Sequence, residues 1–116
     1  MKRRPWRQPA AWGVVVLLVF AVLGVGVAMR SRRPASHTVT IDAARFEPAV
    51  LVVRVGDVIT WINKDIVPHT ATSRTGNFDS GAIDAGEAWQ YTPTRAGDFH
   101  YVCVFHPTMT ALLRVK

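Results

Sequence analysis

The order of apolar and polar residues divides the chain in two. Ala11 to Met29 is an unbroken run of 19 uncharged residues, AWGVVVLLVFAVLGVGVAM. Beyond it the texture changes to short β-branched and aromatic stretches separated by turn signals. HTVTID (37–42) alternates, and AVLVVRV (49–55) is β-rich and ends at the turn pair Gly56-Asp57. VITWIN (58–63) follows, then a loop around Pro68 and a short strand expected over His69 to Ser73. Gly76-Asn77 and Ser80-Gly81 mark a further loop. EAWQYT (87–92) and DFHYVC (98–103) alternate on either side of a turn over Pro93 to Gly97, and ALLRV (111–115) closes the chain. About seven strands at a spacing of roughly 8–12 residues, with no helical period after residue 36, predict an antiparallel β-sandwich.

The apolar run would span about 28 Å as a helix, close to the ~30 Å hydrocarbon core of a bilayer. Lys2, Arg3, Arg4 and Arg7 precede it, Arg30, Arg32 and Arg33 follow it, and Trp6 and Trp12 sit where interfacial aromatics belong. Gly26-Val27-Ala28 offers small residues for signal cleavage, whereas the length of the run and the arginines after it favour an uncleaved anchor. Residues 1–29 are therefore expected to be one transmembrane or signal helix, oriented with its N-terminus inside. The remaining chain then lies outside the cytoplasm. Residues 30–36 read as a linker with no packing face, and 37–116 as the exported domain.

Composition sharpens this division. The chain has 116 residues, 49% hydrophobic and 19% charged, which suits one folded domain. The net charge of +6 is unevenly placed: residues 1–36 hold seven Lys/Arg and no acid, while residues 37–116 hold seven Lys/Arg and eight Asp/Glu. The domain is near neutral, so the basic balance gives no nucleic-acid signal. A single cysteine excludes an intramolecular disulfide and a Cys-rich zinc scaffold.

That cysteine sits in the most informative segment, Cys103-Val-Phe-His106-Pro-Thr-Met109, which the strand pattern places in a loop at one end of the sandwich. A thiol, an imidazole and a thioether recur at three-residue steps, and Pro68-His69 lies upstream at another strand edge. Two imidazoles, one thiolate and a weak thioether form a soft, nitrogen-rich set that suits copper in an electron-transfer site. A structural zinc site normally has Cys, His or carboxylate in place of the methionine. Each residue also has a plainer reading: Cys103 as an inert buried thiol, Met109 as core filler, His69 as a turn histidine. A thiol-protease pair fails because nothing supplies an orienting group or an oxyanion site.

At these residues the chain resembles the cupredoxins, the small blue-copper proteins, and within them the plastocyanin/amicyanin branch. The C-x₂-H-x₂-M spacing of Cys103, His106 and Met109 is similar to the short ligand loop of amicyanin. Val55-Gly56-Asp57, Thr60 to Asn63 and Pro68-His69 resemble that family's first-ligand region, and Asn77 to Gly81 and Ala96 to Tyr101 its middle and late strands. The resemblance covers about residues 38–116. It implies a Greek-key β-sandwich binding one type 1 copper through His69, Cys103, His106 and Met109. The chain departs from the family at Thr70, where relatives often carry a bracing Asn, at Val104, often Thr or Ser, and at Ala111-Leu112, where a Gly is common.

What the resemblance implies is an electron carrier, monomeric, converting no substrate of its own and docking redox donors and acceptors. With the anchor, it implies the periplasmic face of the cytoplasmic membrane, or secretion after cleavage. The alternative is an extracytoplasmic copper-binding, storage or delivery protein. Copper oxidases and nitrite reductases need more copper centres and more histidine ligands than four histidines supply. Strand alternation points His100 away from Cys103. His37 is expected to be solvated, Lys64 and Asp65 to form an exposed turn without a special role, and the metal-free Cys103 to be prone to intermolecular disulfides. Trp61, Trp89, Phe78 and Phe99 are expected in the core.

Overall fold

The computed structural model describes residues 24–116. Most of the apolar run, residues 11–23, lies outside them, and residues 24–35 form neither helix nor strand. Among the described residues no helix is long and apolar enough to cross a membrane.

Eight strands follow: β1 (Ser36–Asp42), β2 (Arg45–Glu47), β3 (Val50–Val53), β4 (Val58–Asn63), β5 (Thr72–Ser73), β6 (Ala88–Tyr91), β7 (Gly97–Cys103) and β8 (His106–Val115). They form two four-stranded sheets in the orders β2-β1-β4-β6 and β3-β8-β7-β5. The alternation in the sequence sets the faces. Ile59, Trp61 and Asn63 of β4 point inward, as do Tyr101 and Cys103 of β7 and Met109, Ala111, Leu113 and Val115 of β8. Between the sheets Trp61 packs against Phe78, Trp89 and Tyr101, with ring centroids 5.5–5.7 Å apart. Trp61 Nε1–H donates to the Tyr101 hydroxyl at 3.3 Å, and burial pushes that phenol up to about 12.

The sandwich is not wholly antiparallel as expected. β1 runs parallel to β4, from Ser36↔Val58 to Ile41↔Asn63, and β3 runs parallel to β8. Side-chain alternation is the same in both pairings, so the pattern could not separate them. The strand β2 is an addition. It forms a hairpin with β1 through Ala43 and Ala44, both at positive φ (47° and 54°), the conformation of a two-residue hairpin turn that usually selects Asn or Gly.

The registers define two poles. Ser36, Val58, Gly97 and Val115 share one end; Asn63, Cys103 and His106 share the other. Val55 N–H bonds to Lys116 O (3.1 Å) and Gly56 N–H to Pro93 O (3.0 Å), closing the first pole. At a rise of about 3.3 Å per residue, β4 alone separates the poles by roughly 17 Å.

Of residues 30–36, expected to be a linker with no packing face, all but Arg30 belong to the compact unit Ser31–Lys116. The buried Asp57 collects them. Its Oδ1 accepts from Arg32 Nη1 (2.9 Å) and Ala35 N (3.0 Å), and its Oδ2 from Arg54 N (3.0 Å). His37, expected to be solvated, donates from Nε2 to the same carboxylate at 2.9 Å. Arg32 above all, then His37, holds the Asp57 carboxyl far below the usual carboxylate range.

Candidate metal centre

Two hairpin ends and one bridge build the site. Cys103 is the last residue of β7 and His106 the first of β8, paired across the turn Val104-Phe105. The ladder shifts register between Val102 and Cys103. The segment expected to be a loop through Met109 is thus a two-residue turn, and Pro107 to Met109 already belong to β8. The strand period then turns Met109 inward, where it is 4% exposed in the core. His69 arrives from the other side of the site on a two-way bridge with Ile83 (N–H to O distances 3.1 and 2.7 Å).

His69, Cys103 and His106 present their donor atoms within 4.8 Å of one another. Nδ1 of each histidine stands 3.7 Å from Cys103 Sγ, and the two rings lie 4.9 Å apart by centroid. These separations fit a shared ion. An imidazole nitrogen at about 2.0 Å and a thiolate sulfur at about 2.3 Å from one metal, in a trigonal plane, stand about 3.7 Å apart. His69 and Cys103 have no exposed surface; His106 is partly exposed.

The tautomer of His69 is fixed by Asp65. Its Nε2–H donates to Asp65 Oδ2 at 2.9 Å, which leaves the Nδ1 lone pair facing the thiol. Asp65 Oδ2 also accepts from Ala44 N (3.0 Å) and Oδ1 from Ile66 N (3.0 Å), while Asp65 N–H donates to Asn63 Oδ1 (2.9 Å). The Ala44 amide and then His69 hold the Asp65 carboxyl below its usual range. Buried Asn63 pins the same loop, donating from Nδ2 to Val67 O (2.8 Å) and Ile83 O (2.9 Å).

Thr70 joins the two ligand segments. Its N–H donates to Cys103 Sγ (3.3 Å) and its hydroxyl oxygen accepts from Val104 N (2.9 Å). The brace between the two ligand segments, for which the resemblance implied an Asn, is made here by Thr70.

Asp65 is the residue that sequence reasoning missed. It is half-buried and bound to a ligand, not an idle turn carboxylate. Its place four residues before His69 was the available signal. Cys103, expected to be open to intermolecular oxidation, is shielded: at 0% exposure it cannot meet a second thiol without the turn opening. His100 is exposed on the outer face of β7, away from Cys103. Trp61 and Phe78 are buried in the core, and Trp89 and Phe99 pack against it.

No family model matches the chain. Amicyanin from Paracoccus denitrificans is 33% identical over 89 residues, 71% of this chain and 68% of that protein. Among solved structures, a purple cupredoxin from Nitrosopumilus maritimus aligns with a TM-score of 0.63 at 28% identity, over 69% of this chain and 99% of its own. A copper-containing nitrite reductase from Thermus scotoductus aligns with a TM-score of 0.67 at 26% identity over 74% of this chain. The chain spans only 23% of that enzyme. The two-sheet sandwich, the imidazole–thiol–imidazole cluster at its pole and the amicyanin relationship converge: the chain belongs to the cupredoxins, in their amicyanin branch, with copper as its cofactor.

Proposed function

We propose that this protein is a blue-copper electron carrier, passing single electrons between redox proteins through copper held by His69, Cys103, His106 and, as the weak fourth donor, Met109. Copper bound there supplies the one-electron Cu(II)/Cu(I) couple. The observation that carries the reading is the asymmetry of the donor cluster: two donors are wholly buried, and one imidazole reaches the surface. His69 is held by Asp65 and Cys103 by Thr70 N–H, so the donors need little movement between oxidation states. His106 offers the short exit path. Its neighbours in sequence are uncharged and exposed, Val104 (51%), Phe105 (52%), Pro107 and Thr108, and so are Ile66 (90%), Val67 (40%) and Pro68, which lead into the other histidine, His69. Such a rim suits brief docking that buries less than about 1,200 Å².

The protein is read as a monomer that turns over no substrate by itself. Residues 1–29, uncharged at their centre and flanked by Lys and Arg, are read as the anchor or export signal that places the domain on the extracytoplasmic face of the membrane.

Voltammetry of the copper-loaded full chain tests the carrier reading. A reversible one-electron wave, with copper retained through repeated cycles, is expected. Loss of copper to a chelator on reduction would favour delivery, and turnover of nitrite would favour an enzyme; either result removes the carrier.

A further inference from the structure

Thr70 does more than replace a bracing amide, because its hydroxyl is the middle of a longer chain. Thr70 Oγ1 lies 2.9 Å from Thr72 Oγ1, and Thr72 Oγ1 donates to Asp79 Oδ1 at 3.1 Å. Each hydroxyl owns one proton. The Thr72 proton goes to the carboxylate, so Thr70 must donate to Thr72. With its own proton so placed, Thr70 presents a lone pair to Val104 N–H, 2.9 Å away. Proton counting leaves one order: Val104 N–H to Thr70, Thr70 to Thr72, Thr72 to Asp79. Hydrogen bonds aligned head to tail strengthen one another, most where water is excluded. Thr70 is 2% exposed, while Asp79 stands at the surface. Asp79 is itself fixed: it bridges Thr72 and accepts from Gly81 N–H at 3.0 Å.

We propose that Asp79 is a positioning residue for the metal centre: as terminal acceptor it sets the direction of the Thr72–Thr70 relay and so latches the turn between Cys103 and His106 onto the His69 segment. The consequence for copper rests on the carrier reading, whereas the latch itself exists without metal. Its work is acceptance, not charge, so an amide oxygen at position 79 serves as well.

The test uses the full chain and two readouts: amide exchange at Val104 in the metal-free protein, and Cu(I) release to a chelator. Asp79→Ala and Thr72→Val are each expected to speed both by roughly two- to tenfold, the worth of one net hydrogen bond. The double variant should match Thr72→Val alone, because both cut one relay. Asp79→Asn should keep near-native rates, and Thr70→Ser should stay slow where the near-isosteric Thr70→Val does not. Additive single effects, unchanged Val104 exchange in Asp79→Ala, or faster exchange without faster copper release would each overturn the proposal. If the metal-loaded protein shows no blue-copper spectrum, the carrier reading fails, and the exchange data still decide the latch.

Discussion

The two poles of the sandwich use the same pair of residues for different ends. At one, His69 Nε2 meets Asp65 at 2.9 Å; at the other, His37 Nε2 meets Asp57 at 2.9 Å. Both histidines are oriented by a carboxylate. What differs is the company on the other side. His69 turns Nδ1 toward a buried thiol and a second imidazole, whereas Asp57 carries an arginine and two backbone amides as well. A carboxylate–histidine pair is thus only a way to fix a ring. A thiol and an imidazole beside Nδ1 suit His69 to a metal, whereas an arginine and two amides on the shared carboxylate make Asp57 and His37 a clasp for the first strand.

The largest break comes from the thiol. Cys103→Ser keeps both histidine pairs and should abolish the intense thiolate-to-copper absorption entirely, read in the visible spectrum of the Cu(II)-loaded protein. Next comes the orienting acid. Asp65→Ala should weaken copper binding by roughly 10- to 100-fold, the usual cost of losing a partner that orients a metal-ligating histidine. In competition titration Asp57→Ala should bind copper like the wild type, and equal losses in the two variants would end the distinction between the poles.

Stability should reverse that order. Asp57→Asn leaves Arg32 without its ionic partner and loosens residues 32–35, and should lower Tm by several degrees at neutral pH. The sign of the pH dependence follows from the depressed Asp57 carboxyl. Folding favours its ionised form, so its contribution is complete above the ordinary carboxylate value of about 4 and is lost as pH falls below it. The wild-type advantage over Asp57→Asn should therefore shrink on acidification, as thermal melts across the acid range will show. The smallest change sharpens the metal pole alone. Ala44→Gly removes a side chain from positive φ while keeping the amide that binds Asp65, and should add about 0.5 kcal/mol of stability with no spectral change.

Where alternation met a buried face, the sequence was readable. VITWIN marks β4 to the residue, and the inward set Phe99, Tyr101 and Cys103 follows from a period of two. The donors His69, Cys103 and His106 were legible because their chemistry is specific at that spacing, and the fold brings them together. The hairpin to β2 was hidden because Ala43-Ala44 carries no turn signature, its backbone being held partly by Asp65. Parallel pairing left no mark on alternation. In the sequence Asp65 and Asp57 look like any polar turn residue, because the partners that set them apart, His69 four positions on and Arg32 25 positions back, meet them only in the fold. The same holds for His37, whose partner Asp57 lies 20 positions on.

The most direct test of a copper centre built from His69, Cys103 and His106 is the visible and EPR spectrum of the full chain loaded with Cu(II). An intense thiolate-to-copper band with narrow copper hyperfine splitting, at one copper per chain, is the predicted result. A pale protein with the wide splitting of ordinary nitrogen–oxygen ligation would contradict the account, because it would mean that the buried thiol does not share the ion with the two histidines.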